Sequence, residues 1–270
     1  MHLTLKEFSG EGICSRINRR KSAILLALCT LRKFKYHVFM IKALLLDFNG
    51  IIINDEPLQM RIYQQVLADQ GIALTESDYY SCLGMDDKGF VEAAYKRAGQ
   101  TPGPNTVLEI IEKKIELWRE AVADNLPLFP GVENFIKKAS QQFTLGLVSM
   151  CNHVEIDHVL KTAGLTEYFS TVVSAEDVSR SKPDPECYKT GFRLIDSART
   201  SAGHLPMTHP ECVVIEDSPA GVRAAVAADL QVLGVTNTVT DDELRAAGAR
   251  WVAKDLNDWW PESIKLAFAR

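Results

Sequence analysis

The sequence has no long hydrophobic run, and this absence bounds what the chain can be. A short apolar segment near the N-terminus, Ala23–Leu31, has nine residues, whereas a membrane-spanning helix needs roughly 20. The sequence also has no internal repeat and no long low-complexity segment. Its six cysteines form no CxxC pair and no regular spacing, which argues against a disulfide framework and against a zinc cluster. We therefore expect a soluble protein of the reducing cytoplasm.

Positive charge is scarce outside the first 39 residues. The formal net charge of the 270 residues is -5, yet residues 1–39 hold eight Lys/Arg and two Asp/Glu. From residue 40 onward, 22 Lys/Arg stand against 33 Asp/Glu, so non-specific binding to nucleic acid is not expected. The basic segment 1–39 has two interpretations. It is a mis-assigned extension before a natural start at Met40, or it targets the protein to an organelle.

From residue 42 onward, short apolar runs alternate with helical patterns. The runs lie at residues 42–48, 144–150, 171–174, 212–216, 231–235 and 250–254. Runs this apolar are typical of strands that are buried on both faces, and helices between them indicate parallel pairing. The pattern therefore predicts an α/β fold with a doubly wound parallel sheet.

About ninety residues separate the first two apolar runs, far more than one crossover helix requires. Helical periodicity at residues 57–70, 88–98 and 105–123 predicts a small α-helical domain inserted after the first strand. The resulting division is a core made of residues 40–56 and 128–270, and an inserted helical domain of residues 57–127.

Polar side chains stand at the predicted carboxyl ends of the strands. Asp47 follows the first strand, Ser149 the second and Lys182 the third, while Glu216 and Asp217 end the fourth. Because such ends meet at one edge of a parallel sheet, we expect these groups to converge. A nucleophile, a hydroxyl, a cation and a carboxylate pair suit phosphoryl transfer with Mg²⁺, which prefers oxygen ligands. Composition alone leaves open that Asp47 merely caps a helix.

Four segments follow one another along the chain: DFNGIIINDEP, LVSMCN, SKPDPECY and IEDSPAGVRAA. In this order they resemble the motifs of the haloacid dehalogenase superfamily, in its β-phosphoglucomutase-like and sugar-phosphate phosphatase branch. The resemblance runs from about Met40 to the C-terminus. It implies a Rossmann-like core, a mobile helical cap, Mg²⁺ as cofactor and an aspartyl-phosphate intermediate.

The resemblance also implies roles for individual residues. Asp47 would be the nucleophile, and Lys182 would hold Asp47 ionised by opposing its charge. The metal ligands would be Asp47, Asn49 through its backbone carbonyl, Glu216 and Asp217. The transferring phosphoryl group would be bound by Gly50, Ser149, Met150 and Lys182.

One position departs from the family pattern DxDG. Its second Asp protonates the leaving oxygen and then activates water, but this chain has Asn49, and an amide can do neither. Losing such a group slows a step by roughly a hundredfold to ten-thousandfold. Asp55 or Glu56 could replace the missing base, although the family pattern directs both toward the cap.

The resemblance places substrate selection in a cap loop that contains Gly84, Asp86, Asp87 and Lys88. Two carboxylates there would repel a second phosphate, which counts against a mutase acting on sugar bisphosphates, although Lys88 could partly compensate. The alternative is that Asp86 and Asp87 only cap the helix that begins near Lys88.

Taken together, the residues and the resemblance predict a slow Mg²⁺-dependent phosphatase of small phosphorylated metabolites. Two alternatives stay open: a β-phosphoglucomutase-like phosphomutase, and a phosphate-binding or regulatory protein without useful turnover. The expected partner is a small phosphorylated metabolite, without nucleic acid or membrane, and a monomer is favoured.

Overall fold

The computed structural model describes residues 40–269, so the predicted N-terminal segment 1–39 lies outside the described residues. The centre of the described chain is one six-stranded sheet. Its strands are β1 (Ala43–Leu46), β2 (Thr144–Val148), β3 (Phe169–Val173), β4 (Cys212–Glu216), β5 (Gln231–Val235) and β6 (Trp251–Ala253). Every pairing is parallel and the order is β3-β2-β1-β4-β5-β6. The predicted parallel sheet is confirmed.

The sheet is covered on both faces, as its apolar strands require. Alternate residues of β1 enter different hydrophobic clusters: Leu44 and Leu46 join one, and Ala43 and Leu45 join the other. This alternation follows from the two-residue period of a strand. The covering helices are α5 (Val132–Ala139), α6 (His153–Thr162), α7 (Glu186–Ser201), α8 (Pro219–Ala227), α9 (Asp241–Ala247) and α10 (Pro261–Phe268). The fold is therefore Rossmann-like and doubly wound.

Five helices lie between β1 and β2, and we call the four that precede α5 the helical insertion. They are α1 (Glu56–Ala68), α2 (Glu76–Tyr80), α3 (Asp87–Arg97) and α4 (Thr106–Val122). Three of them match the predicted helices to within two residues. The sequence analysis missed α2, which has only five residues and is fixed by a capping box between Thr75 and Asp78.

The helical insertion and the sheet share one hydrophobic cluster. Ile62 of α1 and Trp118 of α4 belong to the same cluster as Leu44 of β1 and Ile136 of α5. The division into a core and an inserted domain at residues 57 and 127 stays a prediction. In the part of the chain that the structure describes, no helix is both long and apolar enough to cross a membrane.

Candidate active site

The strand ends and the helical insertion together line an open cavity. From the strand ends it is lined by Asp47, Asn49, Ser149, Met150, Lys182, Asp217 and Ser218. The insertion contributes Glu56, Gln59, Tyr63, Tyr79, Gly84, Asp87 and Lys114, among others. The predicted convergence of Asp47, Ser149, Lys182 and Asp217 is therefore present in the structure.

Lys182 lies between two carboxylates at the centre of this edge. Its Nζ is 2.9 Å from Asp47 Oδ2 and 2.7 Å from Glu216 Oε1, and the residue is only 3% exposed. Tyr188 donates its hydroxyl to the same Glu216 oxygen at 3.0 Å. The ammonium group is thus fixed next to the proposed nucleophile.

Glu216 also organises the turn between β4 and α8. Its Oε2 accepts hydrogen bonds from the backbone amides of Asp217 and Ser218, both at 2.9 Å, and from the Ser218 hydroxyl at 3.0 Å. Helix α8 can approach this carboxylate because Gly221 has no side chain: a Cβ there would lie 1.6 Å from Glu216 Oε1. Glu216 therefore fixes the turn that carries Asp217, and it does not line the cavity.

Burial has the largest effect on the pKa of the proposed nucleophile, Asp47. Loss of solvation, together with the nearby Glu216 charge, raises the pKa of Asp47 to about 8, although Lys182 lowers it. The effect of Lys182 has the predicted direction but is outweighed. Burial likewise raises the pKa of Asp217 well above its usual range, with further contributions from Glu216 and Asp47. Burial also opposes ionisation of Glu216, but the charge and hydrogen bond of Lys182, together with the Ser218 amide and Asp47, outweigh burial and lower the pKa of Glu216.

The carboxylates of Asp47, Glu216 and Asp217 fit a divalent cation. One ligand atom from each lies within 4.8 Å of the others, and all three residues are buried. Three buried carboxylates repel one another, and a cation with a preference for oxygen ligands would offset that repulsion. Thr238, in the loop after β5, orients Asp217 by donating its hydroxyl to Oδ2. The sequence analysis missed this threonine because it belongs to no recognised motif.

Gly50 approaches Asp217 more closely than any other residue type could. Its φ is +76°, and a Cβ would lie 1.8 Å from Asp217 Oδ2. Its carbonyl accepts a hydrogen bond from Asn237 Nδ2 at 2.6 Å. Gly50 is not among the residues that line the cavity. Its observed contacts thus concern the acidic cluster, whereas the resemblance implied that it binds phosphate.

Asn49 is bound by a carboxylate that the sequence analysis regarded as a possible base. Its Nδ2 donates to Asp55 Oδ1 at 2.9 Å. The other oxygen of Asp55 accepts from Gln59 Nε2 at 3.0 Å and from Trp118 Nε1 at 2.8 Å. Asp55 is 1% exposed and does not line the cavity. An amide at 49 and a carboxylate at 55 are thus complementary partners.

Glu56 behaves differently from its neighbour Asp55. It lines the cavity, and its Oε2 accepts the Tyr79 hydroxyl at 2.6 Å. Burial, followed by the charge of Asp55, raises the pKa of Glu56 to about 7. The family pattern directed both residues toward the cap, and only Glu56 faces the cavity.

The structure separates the two carboxylates of the predicted specificity loop. Asp86 caps α3, because its side chain accepts the backbone amide of Gly89 at 3.0 Å. Asp87 instead lines the cavity, next to Gly84 of the same loop. Lys88 is exposed and is absent from the cavity wall. The capping alternative therefore holds for Asp86, and the compensating cation is not Lys88.

The cation that compensates the charge of the specificity loop is Lys114 of α4. Its Nζ is 3.2 Å from Asp87 Oδ2 and 2.8 Å from Glu155 Oε2, and the residue is 1% exposed. Tyr63 and Asn152 also donate hydrogen bonds to Asp87. The sequence analysis missed Lys114, because a lysine within a helical pattern is typical of a solvated face and its partner Glu155 lies 41 residues away.

Comparisons with known proteins agree with this geometry. The sequence model of the haloacid dehalogenase-like hydrolases matches residues 44–235. Hexitol phosphatase B of Escherichia coli strain K12 is 30% identical over 197 residues, which cover 72% of this chain and 83% of that protein. The chloroplastic protein SUPPRESSOR OF QUENCHING 1 of Arabidopsis thaliana is 26% identical over 81% of this chain, but the chain spans only 20% of its length.

A solved structure supports the fold alone. β-Phosphoglucomutase from Clostridium difficile superposes with a TM-score of 0.73 at 19% identity, covering 85% of this chain and 97% of that one.

Proposed function

The chain belongs to the haloacid dehalogenase-like hydrolases, and we propose that it is a Mg²⁺-dependent phosphatase of small phosphorylated carbohydrates that forms a phosphoenzyme on Asp47. The observation that carries this proposal is the position of Asp47. It lies on the cavity wall, 2.9 Å from Lys182 and within the cluster it forms with Glu216 and Asp217. The carbohydrate class rests on the similarity to hexitol phosphatase B and on the polar cavity wall.

The residues act in a definite order. Asp47 attacks the phosphorus atom, and the oxygen of the substrate leaves. Lys182 and Ser149 stabilise the phosphoryl oxygens, since both line the cavity beside Asp47. Mg²⁺, held by Asp47, Asp217 and the Asn49 carbonyl with Glu216 beside them, would supply further neutralisation of the phosphate charge. Water then hydrolyses the aspartyl-phosphate and restores Asp47.

Phosphate release from hexitol 6-phosphate, hexose 6-phosphates and p-nitrophenyl phosphate in the presence of Mg²⁺ would test this proposal. Wild-type protein is expected to release phosphate, and EDTA is expected to abolish the release. Asp47→Asn should lose at least roughly a hundredfold in turnover, as expected for loss of the nucleophile. The exposed Asp69 in Asp69→Asn provides a control for the same chemical change.

The competing function is phosphate binding without turnover, which the amide at position 49 favours. It predicts that wild type is inert on each of these esters but still binds inorganic phosphate with Mg²⁺. That result, with no beryllofluoride adduct at Asp47, would overturn the phosphatase proposal.

A further inference from the structure

Because Asn49 cannot move a proton, another cavity side chain must do so in the proposed reaction. Four carboxyl groups line the cavity beside Asn49: Asp47, Glu56, Asp87 and Asp217. Asp47 is the proposed nucleophile, and Asp217 belongs to the proposed metal cluster. Among the described carboxyl groups of the cavity wall, Glu56 and Asp87 remain.

Asp87 is not available for proton transfer. It accepts hydrogen bonds from Tyr63 and Asn152, and it forms an ion pair with Lys114 at 3.2 Å. The oxygens of Asp87 are occupied by these donors. Glu56 is therefore the candidate for proton transfer.

Two tyrosines and one cysteine of the cavity wall hold their protons. Burial raises the pKa of Tyr63, Tyr79 and Cys151 well above the ordinary values of these groups. At neutral pH these groups do not provide a base for water.

Glu56 lines the cavity with one carboxyl oxygen held and the other free. It is the first residue of α1, it is half-buried, and its Oε2 is held by the Tyr79 hydroxyl at 2.6 Å. Within residues 40–269, Oε1 has no hydrogen-bond partner. One carboxyl oxygen of this cavity-wall residue is thus fixed, and the other is free to exchange a proton.

We propose that Glu56 performs both proton transfers that Asn49 cannot. This inference rests on the proposed phosphatase function. In the first step Asp47 bonds to phosphorus, the bond from phosphorus to the substrate oxygen breaks, and the Glu56 carboxyl gives its proton to that oxygen. In the second step water attacks phosphorus, its proton passes to the Glu56 carboxylate, and the bond to Asp47 breaks. Glu56 is then protonated again and inorganic phosphate is free.

The proton affinity of Glu56 suits this double role. Its pKa, raised to about 7 by burial and by Asp55, means that both protonation states are populated near neutral pH, as acid–base catalysis requires. The Tyr79 hydrogen bond and the Lys114 charge oppose the increase. The ionisable groups that interact with Glu56 are Asp55, Tyr79, Tyr80, Lys114 and Asp217.

The test compares Glu56→Gln with Glu76→Gln on two substrates. Glu76 is also a first-turn residue of an insertion helix, but it is exposed and lies outside the cavity wall. With hexitol 6-phosphate, Glu56→Gln should lose roughly a hundredfold to ten-thousandfold in kcat, because an alkoxide is a poor leaving group without a proton. Glu76→Gln should match wild type.

p-Nitrophenyl phosphate separates catalysis from structure. Its leaving group departs without a proton, so Glu56→Gln should release a burst of about one p-nitrophenol per enzyme and then turn over slowly, as the phosphoenzyme accumulates. A purely structural role for Glu56 would lower the burst rate and the steady rate together.

The outcomes distinguish the two proposals. If wild type is inert on both esters, the phosphatase function and this inference fall together. If wild type is active and Glu56→Gln matches it, only the assignment of Glu56 is wrong.

Tyr79→Phe provides a second test of the role of Glu56 if Glu56→Gln does not fold. Removing the hydroxyl raises the pKa of Glu56, because that hydrogen bond lowers it. The single-turnover rate with hexitol 6-phosphate needs protonated Glu56 and falls as pH rises through its pKa. Tyr79→Phe should move this fall to higher pH, and an unchanged profile contradicts the assignment.

Discussion

At the scale of single residues, the site consists of side chains paired as donor and acceptor, and the sequence predicts only some of these pairs. The convergence of Asp47, Ser149 and Lys182 is predictable from the sequence because the carboxyl ends of parallel strands meet at one edge of a sheet. For Asn49, the sequence suggested Asp55 or Glu56 as a replacement base and did not predict a contact between Asn49 and Asp55. The structure instead pairs Asn49 with Asp55 at 2.9 Å, so that the amide donates and the carboxylate accepts. A contact between a loop and the residue before a helix has no periodicity from which to predict it.

Asn49→Asp tests that pairing. It would place two carboxylates at hydrogen-bonding distance in a buried site, and we expect a loss of about 1–3 kcal/mol in the free energy of unfolding. Repulsion between the carboxyl groups at positions 49 and 55 raises the pKa of one of them in the folded state above its value in the unfolded chain. The loss in the free energy of unfolding should therefore be small near pH 4 and grow as the pH rises. The swapped variant Asn49→Asp/Asp55→Asn restores one amide and one carboxylate and should regain most of the stability. Urea unfolding at pH 5 and pH 8 measures all three proteins.

Gly50→Ala tests the close approach to Asp217, and Gly71→Ala is its matched control. Both glycines have positive φ, +76° and +72°, so the backbone strain is similar. A Cβ at Gly50 meets Asp217 Oδ2 at 1.8 Å, whereas one at Gly71 meets nothing within 4 Å. Gly50→Ala should weaken Mg²⁺ binding and lower kcat by roughly a hundredfold through displacement of Asp217. Equal activities of the two variants would show that the approach is unimportant.

At the scale of elements, periodicity predicted the six strands and three insertion helices, because each buries a regular apolar pattern. It could not predict how the insertion docks on the sheet. That contact depends on Lys114 of α4 and Glu155 of α6, which are 1% and 0% exposed. Glu155 also accepts a hydrogen bond from Gln59 of α1 at 3.2 Å. Docking therefore follows from tertiary contacts between distant helices.

Lys114→Met should leave Glu155 buried without its cation. Breaking one partner of a buried pair costs about 3–5 kcal/mol, whereas replacing both by apolar groups is often neutral. We therefore expect Lys114→Met to be strongly destabilised and Lys114→Met/Glu155→Leu to recover much of the loss in urea unfolding. The exposed pair Lys161–Asp157 on α6 provides the control, and Lys161→Met should cost less than about 1 kcal/mol.

At the scale of the whole molecule, the cavity has two ends that differ in electrostatic character. The strand-end side has Lys182 and the proposed Mg²⁺ cluster, which suit one phosphate. The insertion side presents Glu56 and Asp87, and its cation Lys114 is already paired. A phosphorylated polyol fits this polarity with its phosphate at the sheet and its hydroxyls at the insertion, where carboxylate oxygens accept hydrogen bonds.

A second phosphate at the insertion end should therefore be rejected. Like charges placed together cost several kcal/mol, so kcat/KM for a hexitol bisphosphate should be about a hundredfold below that for the monophosphate. Asp87→Asn removes one repelling charge and leaves Lys114 paired with Glu155 alone, so the discrimination should shrink. Asp86→Asn keeps a side chain that can cap α3 and lies outside the cavity wall, so its discrimination should equal that of wild type. If Asp87→Asn discriminates as strongly as wild type, the selection against bisphosphates arises elsewhere in the cavity.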